Sequence, residues 1–266
     1  IARALLAVFV IAGAAHAQVS YQDILNASKS PGEWLTNNGN YDGHRYSALS
    51  EINHKNVADL RLQWVFQKGF QHKFETSPLV VGEVMYLTVP PNEVYALDTT
   101  TGAELWHYRR DLPPKVIACC GLVNRGLAVH GDRLFMGTLD SYLISLDRKT
   151  GRVLWESEMF DYTKGYGTTL APLVVKDKVM VGTTGGEYGI RGFLDAYDPV
   201  TGARLWRFWT MPGPLLCVVS YFAFASVAQK VAEKYGTGGD TRSEHYLQPQ
   251  DCTRKPTARS TFPSAF

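Results

Sequence analysis

Apolar and polar residues alternate through three similar segments of the chain, and each segment ends in Leu-Trp. The segments are Val94–Trp106, Leu143–Trp155 and Leu194–Trp206, which read VYALDTTTGAELW, LISLDRKTGRVLW and LDAYDPVTGARLW. Alternation with a period of two predicts β-strands. In the middle of each segment an Asp, three further residues and a Gly predict a turn. Each segment is therefore predicted to form a β-hairpin.

A second predicted strand pair precedes each of these hairpins. The three pairs lie at Ser77–Val89, Gly126–Thr138 and Ala171–Thr183. Two hairpins per repeat make a four-stranded antiparallel unit, and a repeat of roughly 50 residues is typical of propeller blades. The predicted fold class is therefore all-β, a β-propeller.

The tryptophan that ends each repeat is predicted to dock between neighbouring blades, because a large side chain at the same place in each unit can fix their stacking. Trp64, in LRLQWVF, is interpreted as the closing strand of an earlier unit. The chain thus contains three clear blades and part of a fourth. Closed propellers typically have four to eight blades, so we expect an incomplete ring.

The two ends of the chain differ from the repeats. Residues 1–17 combine Arg3, an apolar stretch and a terminal Ala-His-Ala, which predicts a secretory signal peptide cut before Gln18. A membrane anchor is the alternative, but the stretch is shorter than the roughly 20 residues that span a bilayer. Export would place residues 18–214, the partial propeller, in an oxidising compartment such as the periplasm.

Residues 215–266 lack the hairpin and Trp pattern. They comprise an apolar stretch, too short to predict a stable membrane span, and a polar tail rich in Thr, Ser, Arg and Pro. We expect this region to be non-propeller, and a shifted reading frame is one hypothesis for its origin.

Charge excludes one class of partner. The 27 basic and 25 acidic residues nearly cancel, and the basic residues form no run. Nucleic-acid binding needs a basic patch, so no nucleic-acid partner is expected.

The most informative local feature is Cys119-Cys120, in ACCGLVNRG. Adjacent Cα atoms lie about 3.8 Å apart, below the usual disulfide range, so a bond between them closes a strained ring. Two buried reduced thiols are the alternative, although an exported protein favours the bond.

A second feature is the glycine-rich segment Gly182–Gly192, GTTGGEYGIRG, which follows a predicted strand. Glycines let the backbone approach a ligand closely, and Glu187 could hold a hard cation. The alternative is a solvated glutamate, or one paired with Arg191.

Together ACCGLVNRG, GTTLAP, GGEYGIRG and the Trp-ending repeats resemble the pyrroloquinoline quinone (PQQ)-dependent alcohol dehydrogenases of the methanol and ethanol type, in the family's order. The resemblance covers approximately residues 30–214. It implies an eight-bladed propeller that holds PQQ near its axis, stacked on a vicinal disulfide and coordinated to calcium or, in some members, a lanthanide.

The resemblance also implies roles for individual residues. Glu187 matches the metal-binding carboxylate, and Gly186 stands where the family often has Ala. The implied cofactor-binding residues are Glu75, Cys119, Cys120, Arg125, Thr169, Thr184, Gly185 and Gly186. The catalytic Asp, the metal-binding Asn and the covering Trp of the family have no match after Pro214, so no catalytic residue is assigned here.

The implied reaction is the oxidation of a primary alcohol to an aldehyde, with electrons passing to a cytochrome c. We expect the chain to be a truncated and inactive N-terminal part of such an enzyme. A noncatalytic propeller scaffold for periplasmic partners fits the repeats equally well, but has no use for the cofactor motifs. A sugar-oxidising relative is a third alternative, although such enzymes generally lack the vicinal cysteines.

Overall fold

The computed structural model describes residues 18–69, 73–118 and 121–211, so the predicted signal peptide, the Cys119-Cys120 pair and the region after Pro214 lie outside the described residues. Helices within the described ranges are short. They are α1 (Tyr21–Leu25) and 3₁₀ turns at Ala27–Lys29, Val57–Asp59, Tyr162–Lys164 and Gly186–Tyr188. None of them has the length and apolar character needed to cross a bilayer.

Twelve strands in the described residues form three four-stranded antiparallel sheets, each a simple meander. The first sheet contains β1 (Leu79–Val81), β2 (Val84–Val89), β3 (Glu93–Asp98) and β4 (Glu104–Arg109). The second contains β5 (Ala128–His130), β6 (Arg133–Gly137), β7 (Tyr142–Asp147) and β8 (Val153–Glu158). The third contains β9 (Leu173–Val175), β10 (Lys178–Gly182), β11 (Phe193–Tyr197) and β12 (Arg204–Trp209). These are blades 1, 2 and 3 of a partial propeller, as the repeat predicts.

Burial within a blade follows the position of each strand. The inner residues of β3 and β7 are buried on both faces, whereas β4 and β8 alternate between exposed and half-buried residues. A strand covered on both faces reads as a continuous apolar run, and one covered on a single face alternates. The core therefore lies between the blades, and the fourth strand of each blade forms its outer edge.

The turn inside each repeat is held by its aspartate. Asp147 accepts hydrogen bonds from the N–H groups of Lys149 (3.1 Å) and Thr150 (2.8 Å) and from Oγ1 of Thr150 (2.7 Å). Asp98 makes the same contacts in blade 1, where the Thr101 hydroxyl and backbone N–H groups hold the pKa of Asp98 below its ordinary value. Carboxylates that accept several hydrogen bonds are stabilised in their charged form.

The repeating tryptophans lock each blade to the next. Nε1 of Trp106 donates to the Arg148 carbonyl at 3.0 Å, and Nε1 of Trp155 donates to the Pro199 carbonyl at 3.1 Å. In both cases the acceptor follows the turn aspartate of the next blade. The predicted docking of tryptophan between blades is confirmed.

Each turn glycine lies beneath one of these indole rings. A Cβ on Gly151 would lie 2.5 Å from Cε3 of Trp106, and one on Gly202 would lie 2.6 Å from Cδ2 of Trp155. Both glycines have φ near +70°, a conformation that glycine adopts readily. Trp206, at the same place in blade 3, is 39% exposed.

Trp64 docks on blade 1 in the same way. Its Nε1 donates to the Thr99 carbonyl at 3.0 Å, and its ring lies over Gly102. Residues 61–69 pair with no strand in the described part of the chain. The segment thus places Trp64 where the outer strand of a preceding unit would place its tryptophan, in agreement with the interpretation of Trp64 from the sequence.

Residues 18–45, which we call the N-terminal strap, contact all three blades. Val19 forms an antiparallel bridge with Gly131 of blade 2, and Trp34 forms one with Val80 of blade 1. The Tyr41 hydroxyl donates to the Val174 carbonyl of blade 3. The strap therefore contacts each of the three blades at or beside its first strand.

Candidate functional site

A cleft of about 230 Å³ lies where the segments leading into the first strands of the blades meet. Ser77 of blade 1 pairs in parallel with Gly126 of blade 2, and the Arg125 N–H donates to the Thr169 carbonyl of blade 3 at 2.9 Å. The cleft is lined by Ile117, Ala118, Gly121, Val123, Arg125, Leu139, Gly167, Thr169, Thr184, Gly185, Glu187 and Tyr188.

Three of the residues singled out in the sequence meet around one guanidinium. Nη2 of Arg125 lies 2.8 Å from Oε2 of Glu75, and Nη1 donates to Oγ1 of Thr169 at 2.7 Å. Each residue lies just ahead of the first strand of a different blade. The repeat thus brings one polar side chain from each of three blades to one point.

The glycine-rich loop forms the opposite side of the cleft. It leaves β10 at Gly182 and turns through a 3₁₀ helix at Gly186–Tyr188, which presents Glu187 as an exposed side chain. The Thr184 N–H donates to the Gly167 carbonyl at 2.8 Å, and Oγ1 of Thr183 donates to the same oxygen at 3.0 Å. These bonds join the loop to the segment that precedes β9.

The two glycines at the tip of this loop differ. Gly185 has φ +119°, and a Cβ there would lie 2.1 Å from the Gly165 carbonyl oxygen. A Cβ on Gly186 would meet nothing within 4 Å. Gly185 therefore permits a backbone contact that no other residue allows, whereas Gly186 has room for a methyl group.

Arg191 anchors the far end of the loop and does not pair with Glu187. Its guanidinium lies 4.3 Å from the centroid of the Trp209 ring, and its Nε donates to the Met211 carbonyl at 2.9 Å. Its backbone N–H donates to the Tyr166 hydroxyl at 3.2 Å. The alternative of a Glu187–Arg191 ion pair was wrong, because the arginine stacks on an aromatic ring instead.

The predicted site residues fall into three groups. Arg125, Thr169, Thr184, Gly185 and Glu187 line the cleft, Gly186 follows Gly185 at its edge, and Glu75 reaches it through Arg125. Cys119 and Cys120 lie outside the described residues, but their neighbours Ala118 and Gly121 are in the cleft wall. The roles inferred for all nine residues stay predictions.

The sequence motifs did not predict the apolar wall of the cleft. Leu139 lies in it, and the Leu139 N–H donates a hydrogen bond to Oδ1 of Asn92 at 3.1 Å. Nδ2 of Asn92 donates to Asp140, which pairs with Arg110 at 2.7 Å. Burial opposes the charge of Arg110, but Asp140 and Glu156 outweigh it and raise its pKa. Such inter-blade contacts join residues remote in sequence, so no local motif marks them.

The described residues offer a cation only one carboxylate at the cleft. Glu187 lines it, and no cluster of three or more His, Cys, Asp or Glu residues within the described ranges could hold a metal ion. The cleft also presents the Arg125 guanidinium and the hydroxyls of Thr169 and Thr184, which suit an anionic ligand. The arrangement suits an anionic ligand, and Glu187 is the one lining carboxylate within the described residues that could hold a cation.

Comparison with known proteins gives a consistent result. Residues 34–215 match the family model described as the glucose/ethanol/alcohol dehydrogenase β-propeller domain. The chain is 46% identical over 207 residues to a lanthanide-dependent methanol dehydrogenase of Methylacidiphilum fumariolicum, covering 76% of this chain and 34% of that protein. It is 40% identical to the quinoprotein alcohol dehydrogenase PedH of Pseudomonas putida, covering 78% of this chain and 35% of that protein.

A solved structure gives the same picture. A europium-containing methanol dehydrogenase superposes with a TM-score of 0.69 at 46% identity, over 72% of this chain and 34% of that one. The chain spans about a third of the length of the curated relatives it matches.

Proposed function

Because the chain belongs to the quinoprotein alcohol dehydrogenase family of β-propellers, we propose that it forms the part of a PQQ-dependent alcohol dehydrogenase that holds one side of the quinone cofactor. One observation carries the proposal. Arg125 lies ahead of blade 2, Thr169 lies ahead of blade 3, Glu187 lies on the loop after β10, and all three line the same cleft.

The side chains of the cleft differ in charge, and each charge suits a different part of the bound cofactor and cation. Arg125 gives one terminal nitrogen to Thr169 and the other to Glu75, and its planar group keeps further N–H donors for carboxylate or quinone oxygens. Thr169, beside Arg125, and Thr184, on the glycine-rich loop, add hydroxyl groups to the cleft. Glu187, on the loop opposite, would hold a calcium or lanthanide ion, since both prefer oxygen ligands.

When bound, PQQ would accept hydride from the alcohol, and the cation would act as a Lewis acid. The chain's own contribution is binding and orientation. The proposal includes the oxidation of a primary alcohol to an aldehyde in the whole enzyme, a cytochrome c as electron acceptor and a periplasmic location. The signal-like residues 1–17 support export.

A noncatalytic scaffold remains the competing function for a propeller of this type. The scaffold does not require a guanidinium, two hydroxyls and a carboxylate around one cleft, and the enzyme does. A titration separates the two. PQQ is added to the purified chain and binding is followed by quenching of tryptophan fluorescence. We expect saturable binding that Arg125→Ala weakens roughly tenfold or more, and the absence of saturable binding to the unaltered chain would favour the scaffold.

The metal role of Glu187 gives a second expected result. Glu187→Gln keeps the size of the side chain but removes its charge, so the affinity of the PQQ-loaded chain for calcium or lanthanum should fall roughly tenfold or more. Isothermal titration calorimetry measures the change. Glu83→Gln removes an equal charge from the exposed β1–β2 turn and should leave the affinity unchanged. Equal affinities in all three proteins would remove Glu187 from the site.

The vicinal disulfide is a third expectation. Cys119 and Cys120 are each other's nearest partner in sequence, and an exported protein meets an oxidising compartment. We expect a bond between them in the mature protein, found by peptide mass mapping without reduction. Two free thiols that react with an alkylating reagent would argue against a disulfide platform beneath the quinone.

A further inference from the structure

The position of Arg125 depends more on its backbone than on its side chain. The guanidinium donates to the Thr169 hydroxyl and is paired with Glu75, but the Arg125 and Glu75 side chains are 43% and 33% exposed. Ion pairs this accessible to water hold a side chain weakly. A guanidinium that must meet a ligand in a defined place therefore needs its main chain held firmly.

The main chain of Arg125 is held from three directions. Its N–H donates to the Thr169 carbonyl at 2.9 Å. Its carbonyl oxygen accepts two hydrogen bonds, one from the Ser77 N–H at 3.2 Å and one from Nδ2 of Asn37 at 2.7 Å. A carbonyl oxygen has two lone pairs, so both are used. The shorter of these two bonds comes from the N-terminal strap, 88 residues earlier in the chain.

The glycine after Arg125 makes room for this contact. Gly126 has φ +133°, and a Cβ there would lie 3.0 Å from the Ser77 carbonyl oxygen and 3.4 Å from Nδ2 of Asn37. A side chain at this position would push the asparagine amide away. The backbone around Arg125 is thus shaped to receive the amide of Asn37.

A second strap residue orients that amide. Nη2 of Arg45 donates to Oδ1 of Asn37 at 3.4 Å, and Nε of Arg45 donates to Oδ1 of Asn38 at 2.9 Å. A cation beside Oδ1 favours the orientation in which Nδ2 faces the Arg125 carbonyl. Asn38 shares the contact with Arg45 and makes no bond to Arg125, which makes it a natural control.

We propose that Asn37 is a positioning residue for Arg125, through which the N-terminal strap sets the affinity of the cleft for its anionic cofactor. The proposal rests on the proposed function in one respect, the identity of the ligand. The restraint on Arg125 itself belongs to the chain and exists without any ligand.

The test uses the full chain labelled with ¹⁵N-arginine. The Nε–Hε signal of Arg125, identified by its loss in Arg125→Lys, reports how strongly the side chain is held. Asn37→Asp replaces the donor with an oxygen that repels the carbonyl, and Asn38→Asp keeps the acceptor for Arg45. We expect the heteronuclear NOE of Arg125 to fall in Asn37→Asp alone, and PQQ binding to weaken roughly fivefold. In an Arg125→Ala background, Asn37→Asp should cause no further loss of affinity.

An unchanged NOE for Arg125 in Asn37→Asp would overturn the proposal, as would an equal loss of affinity with and without Arg125. Asn37→Ala, which removes the donor without adding charge, serves if the aspartate variant is unstable. Variants that lower the unfolding temperature but leave the NOE of Arg125 intact would assign Asn37 a purely structural role. If the unaltered chain binds no PQQ, the proposed function fails, and the NOE still decides the role of Asn37.

Discussion

Replacing Gly185 with alanine should abolish measurable cofactor binding at the cleft, and the same replacement at the adjacent Gly186 should leave it nearly unchanged. A Cβ at Gly185 would lie 2.1 Å from the Gly165 carbonyl oxygen, and the residue has φ +119°. Both the clash and the strain fall on backbone, which cannot move aside as a side chain can. The loop must shift, and Thr184 and Glu187 shift with it. The dissociation constant for PQQ should rise at least roughly a hundredfold.

Gly186 is the matched control for this prediction. It lies one residue away on the same loop, and a Cβ there meets nothing within 4 Å. Titration of both variants with PQQ, together with thermal unfolding, separates a displaced loop from an unfolded blade. Tight binding by Gly185→Ala would mean that the contact with Gly165 does not determine the position of the loop.

Removing the indole of Trp155 should destabilise the chain by about 3 kcal/mol, a typical cost of truncating a packed tryptophan. The ring lies over Gly202, and its Nε1 donates to the Pro199 carbonyl of blade 3. Trp155→Ala therefore leaves a gap between blades and an unpaired carbonyl. The measurement is the free energy of unfolding by urea denaturation.

Trp206→Ala is the comparison within the same repeat. Trp206 is 39% exposed and makes no hydrogen bond through Nε1 to any described residue. Its truncation should cost less than about 1 kcal/mol. Equal losses for the two variants would show that the tryptophans act within their own blades and not between blades.

The blades could be predicted from the sequence because each rests on a short pattern repeated three times. Strand alternation, the Asp-to-Gly turn and the final Trp are local, and β3, β7 and β11 each begin one residue before a predicted hairpin and otherwise lie within it. Even the docking of Trp106 on the next blade follows from its recurrence. Repetition lets a weak local signal be checked against its own copies.

The contacts around the cleft were harder to predict for the opposite reason. Asn37 and Arg125 are 88 residues apart, and nothing near Asn37 in the sequence marks its partner. Arg191 lies four residues from Glu187, which suggested an ion pair, yet it stacks on Trp209, a residue whose proximity depends on the pairing of β11 with β12. Sequence separation is a poor guide to contacts that cross a sheet.

The tryptophan contact has a consequence for how such arrays change over evolutionary time. Each repeat supplies two parts of this contact. Its last residue carries an indole, and its turn has a glycine and a carbonyl that receive the indole of the repeat before it. Duplicating or deleting a whole repeat leaves every remaining indole with a turn glycine and a turn carbonyl to contact. Inserting or losing part of a repeat separates the two parts. Gene rearrangement is thus tolerated in units of one blade, which offers a physical reason for lineages of propellers to differ in blade number while keeping the same contact.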